Sequence, residues 1–140
     1  MRSTLLAGFF LAILSQASMA DNVPSPNDES GIHDVITQQL EAFRKEDGTT
    51  AESFAAPGIK EKFPSAESFM SMVRNSYAPL IRPKSTRFEE LSQTALGLVQ
   101  KMTVVDSAGA VWTVAYTMVQ VDGQWRISGC FILKAEAVNA

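Results

Sequence analysis

The sequence predicts an α+β fold in which N-terminal helices pack on a curved antiparallel sheet of about four strands. Three observations support this prediction. Apolar residues recur at helical spacing between residues 32 and 77. From residue 86 onward, β-branched and aromatic residues form runs that turn signals separate. The links between these runs are short, which makes consecutive strands antiparallel neighbours.

The first 20 residues have the pattern of a signal peptide. Arg2 supplies the positive start, residues 5–14 are apolar, and small residues precede a cleavage point after Ala20. A membrane span needs roughly 20 apolar residues, and this run is about half as long. No cysteine follows the cleavage point to carry a lipid. We therefore predict a periplasmic or secreted protein without a membrane anchor.

The remaining chain divides into a leader and one domain. Residues 21–30 are polar and contain two prolines, which predicts a flexible leader. Residues 31–140 have the length and apolar content of a single domain. The sequence thus predicts a signal peptide at 1–20, a leader at 21–30 and an α+β domain at 31–140.

Composition excludes several function classes. The formal net charge is −3 and basic residues do not cluster, which disfavours nucleic acid as a partner. Cys130 is the only cysteine, so no internal disulfide forms. One histidine and one cysteine without grouped ligands predict no metal site. Phosphate-binding glycine motifs are absent, and we predict no cofactor.

The helical half is predicted from spacing and capping residues. A first helix carries its apolar face from Ile32, with Ser30 as N-cap and Gly48 as terminator. Thr49 and Glu52 have the form of a capping box that opens a short second helix.

A third helix and an extended linker follow. Residues 59–63 show only a weak helical turn. Ser65 is the predicted N-cap of the third helix, and Glu67 lies near the positive end of its dipole. Two prolines then predict a rigid, extended segment at residues 78–84.

The strand half is predicted from β-propensity and turns. Asp122-Gly123 is a strong signal for a two-residue hairpin. The predicted strands are residues 86–91, 95–105, 111–121 and 124–133.

Alternation along the strands indicates which residues face the helices. Gln100 is the polar member of an otherwise apolar set, so its amide needs a hydrogen-bond partner from the protein or from a ligand. Arg126 points away from Trp125 and Ile127, which makes it a candidate for interaction on the outer sheet face. The candidates for a ligand pocket are Tyr77, Gln100, Trp112 and Tyr116.

No residue is predicted to be catalytic. The acidic residues fall in the leader, on polar helix faces, at strand ends or in turns. His33 is interpreted as a partly exposed residue at a helix start, and Cys130 as a small buried hydrophobe. An intermolecular disulfide through Cys130 stays open as an alternative.

Residues 39–83 and 123–130 resemble a group of short bacterial proteins known as a domain of unknown function. The most specific parts are residues 54–57, 77–79 and 125–130. That group is similar to the nuclear transport factor two-like superfamily, also called the cystatin-like cone or SnoaL-like fold. The resemblance implies the same helices-then-sheet architecture, and it implies neither an activity nor catalytic residues.

Two functional hypotheses follow, since the superfamily includes ketosteroid isomerase and polyketide cyclases as well as modules that catalyse nothing. The first is a non-catalytic domain that binds a small apolar molecule in the cone or forms a homodimer through the outer sheet face, as the resemblance suggests. The alternative is an isomerase-like or cyclase-like enzyme with an unrecognised polar pair in its cavity.

Overall fold

The computed structural model describes residues 24–135. The predicted signal peptide and the beginning of the leader lie outside these residues. None of the helices described is long and apolar enough to cross a membrane. In chain order the elements are α1 (Pro26–Arg44), α2 (Gly48–Ser53), α3 (Pro57–Lys62), α4 (Ala66–Ser76), a 3-10 turn (Ala78–Leu80), β1 (Ser85–Thr94), β2 (Gly97–Val105), β3 (Val111–Val121) and β4 (Gln124–Lys134).

Helix α1 begins earlier than predicted. Ser25 is its N-cap, with the Ser25 hydroxyl accepting from the Asp28 amide at 3.1 Å and the Asp28 carboxylate accepting from the Ser25 amide at 3.3 Å. The prediction of a flexible leader is therefore wrong for residues 26–30, and Ser30 is not a cap. Proline at the first helical position needs no backbone N–H partner, so Pro26 starts the helix rather than preventing it.

The junction between α1 and α2 also differs from the prediction. Glu46, with φ of 52°, takes the left-handed conformation that ends α1, and Gly48 does not terminate it. Gly48 is instead the first residue of α2 and is buried. A Cβ on Gly48 would lie 2.6 Å from Cγ of Met70, so close helix packing explains the glycine. Asp47 caps α2 by accepting from the Thr50 amide at 3.2 Å.

Helix α4 is capped as predicted, while its neighbours differ. Ser65 and Ser68 form a reciprocal capping box, and Glu67 lies in the first turn. Helix α3 is a full helix where only a weak turn was expected. The segment after α4 is not fully extended, because Pro79 lies inside a 3-10 turn that its fixed φ suits.

The sheet is antiparallel with strand order β1-β2-β3-β4, which confirms the predicted meander. Asp122 and Gly123 have φ of 52° and 79°, as a two-residue hairpin of the primed type requires. Two irregularities bend the strands. One lies in β1 between Phe88 and Leu91, and the other lies at Ser128 in β4.

The core lies between the helices and one face of the sheet, with the predicted apolar strand faces turned inward. Helix α1 approaches β4 so closely that a Cβ on Gly31 would lie 2.8 Å from Trp125. The largest fully buried side chains are Tyr116, Ile32, Ile36, Met70, Leu80, Met102, Met118, Gln100, Val104 and Val114.

The link between α2 and α3 is fixed to the edge of β4. Ile127 donates its amide to the Phe54 carbonyl at 2.9 Å and accepts from the Ala56 amide at 2.8 Å. This short parallel bridge covers the edge of β4 only at Ile127. From Ser128 onward the edge of β4 borders a cavity.

Candidate functional site

An apolar cavity of about 370 Å³ opens between α3, α4 and the second half of β4. Its volume lies near the lower end of the ~300–1,000 Å³ typical of small-molecule sites. Within residues 24–135, no aspartate, glutamate or histidine lines it. The lining residues are Gln39, Phe43, Ala55, Ile59, Lys62, Phe63, Phe69, Met72, Val73, Ser76, Tyr77, Leu80, Tyr116, Ile127, Ser128, Gly129, Cys130 and Phe131.

Tyr116 is one of the polar residues that line this cavity. The residue is 1% exposed, and its hydroxyl has no hydrogen-bond partner among the described residues. Burial, with a smaller contribution from the Cys130 thiol, raises the pKa of Tyr116 well above 10. The hydroxyl therefore keeps its proton, and a buried group of this kind costs about 1–3 kcal/mol while it has no partner.

Tyr77 and Cys130 line the same cavity, and a hydrogen bond joins the Tyr77 side chain to the Cys130 main chain. The Tyr77 hydroxyl donates to the Cys130 carbonyl at 2.9 Å. Burial raises the pKa of Tyr77, and the Cys130 thiol adds to the increase. Burial also raises the pKa of the Cys130 thiol from 9.0 to about 12, so the thiol is a weak nucleophile at neutral pH.

Gln39 also lines the cavity, although it is not among the predicted pocket residues. Its side chain is 4% exposed and donates to the Ala51 carbonyl at 3.0 Å, which ties α1 to α2. The available signal was its position, because Gln39 falls three residues after Ile36 and four before Phe43, on the apolar face of α1.

Gln100 does not line this cavity. Its amide nitrogen donates to the Lys101 carbonyl at 2.8 Å and to the Glu89 carbonyl at 2.9 Å, where β1 is irregular. Its amide oxygen lies 3.0 Å from Nε2 of His33. Because the amide nitrogen faces carbonyl groups, the oxygen faces the imidazole and Nε2 of His33 must be the donor.

His33 lies within α1 rather than at its start, because the helix begins at Pro26. The side chain is 27% exposed. The imidazole stacks on Phe88 with ring centroids 3.8 Å apart and an interplanar angle of 7°. A Glu29 carboxylate oxygen lies 3.9 Å from Nε2 of His33. The imidazole is therefore surrounded by an aromatic ring, a hydrogen-bonded amide and a carboxylate, and His33 does not line the cavity.

Trp112 is likewise separate from the cavity, and it lines a shallow groove with Arg82 and Asp106. Its indole N–H donates to the Asp106 carboxylate at 2.9 Å, and the same carboxylate accepts from the amides of Ala108 and Ala110. The Trp112 bond is the main cause of the lowered pKa of Asp106. These contacts fix the turn between β2 and β3.

Arg126 is paired across strands with Val119, and its guanidinium donates to the Trp125 carbonyl and the Gln124 side chain within its own strand.

A different part of the sheet exposes apolar residues toward the end of β4. We call Val111, Phe131 and Leu133 the apolar patch; their exposed fractions are 41%, 59% and 73%.

In residues 24–135, no three histidine, cysteine or acidic side chains converge in a way that would hold a metal ion. Two of the four predicted pocket residues, Tyr77 and Tyr116, line the cavity. The other two, Gln100 and Trp112, do not line it.

Comparison with known proteins agrees with this architecture. A family model described as a domain of unknown function, DUF4864, matches residues 25–140. An NTF2-like protein of unknown function from Shewanella baltica has a TM-score of 0.54 at 11% identity, over 83% of this chain and all of that one. Aln2 from Streptomyces sp. has a TM-score of 0.50 at 17% identity, over 80% of this chain and 94% of that one. No curated protein matches the sequence. The likeness to these two solved structures shows the fold alone.

Proposed function

This chain belongs to the family described as domain of unknown function DUF4864, and we propose that it is a non-catalytic binding protein for a small apolar molecule. The observation that carries the proposal is Tyr116, which lines an apolar cavity and whose buried, protonated hydroxyl has no hydrogen-bond partner among the described residues. A ligand oxygen that accepts this hydrogen bond would satisfy the group, because a phenol donates to a carbonyl, ether or hydroxyl oxygen.

The rest of the wall supports an apolar ligand body. Phe43, Phe63 and Phe69 contribute aromatic surface, and Met72 adds an adaptable side chain. Such walls contribute affinity through buried apolar area, while one or two polar groups fix the ligand's orientation. We therefore propose a compact apolar ligand with a single acceptor oxygen, such as a ketone.

Three titrating groups in the wall, two phenols and one thiol, support binding rather than catalysis. An isomerase or cyclase needs a base that accepts a proton near neutral pH. Tyr77, Tyr116 and Cys130 all have raised pKa values, so each one retains its proton there. The His33 and Gln100 pair, which could have served an enzyme, lies outside the cavity lining.

A titration with methyl hexyl ketone tests this proposal. We expect saturable binding, followed by NMR through shifts of cavity methyl groups, and about a tenfold loss of affinity in Tyr116→Phe, which removes one hydrogen bond and keeps the ring. Trp112→Phe is the control, since it removes an aromatic donor outside the cavity. The proposal fails if the wild-type protein does not bind the ketone or if Tyr116→Phe binds it equally well.

Homodimerisation is a second candidate function, which the apolar patch favours. Phe131 and Leu133 expose large apolar side chains near the free edge of β4, and such exposed surface marks interaction sites. We propose that a second copy covers this patch. Leu133→Asp is then expected to shift the sedimentation coefficient to that of a monomer. Leu96→Asp, at an exposed apolar residue in the turn between β1 and β2, should leave it unchanged.

We also propose that the chain is exported and cleaved after Ala20, on the strength of the apolar run that follows Arg2. Expression of the full chain with mass analysis of the periplasmic fraction is the test. The expected product begins at Asp21. Recovery of the uncleaved chain from the cytoplasm alone would overturn the proposal.

A further inference from the structure

Among the described residues, Lys62 is the one charged residue whose side chain lines the cavity. It follows Ile59 by three residues, so these two side chains lie on the cavity face of α3, and Phe63, directly after the helix, lines the same cavity. In residues 24–135, every ion pair involves other basic residues, and no carboxylate lies within pairing distance of Lys62.

The cavity therefore presents two unmatched polar groups of different kinds. The Tyr116 hydroxyl is a neutral donor, fully buried in the wall. The Lys62 ammonium is a cation on an exposed residue of α3. Most of the other lining residues are apolar, and no acidic side chain among the described residues lines the cavity to repel an anion or to neutralise the lysine.

We infer that the ligand is an apolar carboxylic acid with a second oxygen along its chain. Its carboxylate pairs with Lys62 at the opening, and its inner oxygen accepts from Tyr116. This inference rests on the proposed function and narrows its ligand class. An oxo or hydroxy fatty acid of short chain has this chemistry, since it joins one anionic end to an apolar body that carries one acceptor.

Three ligands with the same ketone chain test the inference: methyl hexyl ketone, the same ketone with a carboxylate at the far end of its chain, and the same ketone with an ammonium there. At low salt we expect the keto acid to bind about fivefold more tightly than the plain ketone, the order of a partly exposed ion pair. The amine should bind most weakly. The advantage of the acid should shrink as salt rises, because salt screens exposed charges.

Lys62→Gln should abolish the preference for the acid, so that the keto acid and the plain ketone bind to this variant with equal affinity. Lys60→Gln is the matched control, because Lys60 lies on the same helix and does not line the cavity. Thermal unfolding of both variants establishes that they are folded.

The outcomes separate the two proposals. If the wild-type protein does not bind the plain ketone, the proposed function itself fails. If it binds the ketone but binds the keto acid no more tightly, or if Lys60→Gln loses the preference as fully as Lys62→Gln, the inference about the carboxylate is overturned while the binding function stands.

Discussion

Gln100 and Tyr116 lie directly opposite each other on β2 and β3, and both are buried, yet their hydrogen bonding differs completely. The Gln100 amide is bonded at both its nitrogen and its oxygen, whereas the Tyr116 hydroxyl has no partner among the described residues. A buried polar group that the protein satisfies stabilises the fold. One that the protein leaves unsatisfied lowers stability, and it is the better indicator of a ligand site.

Gln100 and Tyr116 differ in hydrogen bonding because different elements pack against their side chains. Near Gln100, the irregular part of β1 leaves carbonyl groups that need a donor, and α1 brings His33 within 3.0 Å. Near Tyr116, the short helix α3 and the edge of β4 from Ser128 onward leave a cavity instead. The first region is closed by main-chain and side-chain partners, and the second is lined by apolar groups.

The largest expected effect concerns the thiol next to Tyr116 in the β3–β4 register. The pKa of Cys130 rises from 9.0 to about 12, so thiolate is roughly a thousandfold scarcer than in the unfolded chain. We expect iodoacetamide to label Cys130 in the native protein at pH 8 about 30-fold more slowly than in urea, because the greater nucleophilicity of a thiolate of high pKa partly offsets its scarcity. Fast native labelling would mean that the cavity wall is open to water, and the contrast between the two regions would disappear.

Gln100→Leu is expected to lower the free energy of unfolding by about 2–4 kcal/mol, because it leaves buried carbonyls and His33 without their partner. Urea denaturation measures this loss. Gln120→Leu is the control, since Gln120 is an exposed glutamine on the adjacent strand and should change stability by less than about 0.5 kcal/mol. Equal effects of the two substitutions would refute a structural role for the buried amide.

Replacing each of the two cavity tyrosines with phenylalanine should change the free energy of unfolding in opposite directions. In the absence of ligand, Tyr116→Phe removes an unsatisfied hydroxyl and should raise the free energy of unfolding by about 1 kcal/mol. Tyr77→Phe removes a bonded hydroxyl and should lower it by about 1 kcal/mol. Thermal unfolding of the two variants and the wild-type protein measures both changes in stability. A loss of stability in Tyr116→Phe would show that the protein already satisfies that hydroxyl.

The smallest effect is expected at a surface cluster outside both regions. Hydrogen bonds from Arg82 and then Arg74 lower the pKa of Glu46 below 4.5. Because the folded pKa is the lower one, the stabilisation is complete above 4.5 and disappears as the pH falls through the folded value. Glu46→Gln should therefore lower the melting temperature slightly at pH 7 and not at all in strong acid.

Glu61→Gln serves as the control for this measurement, since Glu61 forms no ion pair within the described residues. Its melting temperature should follow that of the wild-type protein throughout the pH range. A difference between Glu46→Gln and the wild-type protein that persisted in strong acid would contradict the assignment to ion pairing.

Sequence patterns alone predicted the features that depend on neighbouring residues along the chain. The alternation around Met102 and Val114 identified the inner strand faces, Asp122-Gly123 identified the hairpin, and Ser65 identified the start of α4. Each signal is local, because side-chain direction, turn conformation and helix capping depend on residues a few positions apart. Local signals also misled where proline was interpreted as a breaker, since Pro26 begins α1.

The tertiary structure decided which buried polar groups have partners. Gln100 and Tyr116 both appeared as pocket candidates in the sequence, and only the approach of α1 and β1 satisfies the first while the cavity beside α3 leaves the second unsatisfied. Gln39 and Lys62 acquired their places in the cavity wall in the same way. The physical reason is that burial and hydrogen bonding depend on atoms brought together from distant parts of the chain, which no spacing along the sequence records.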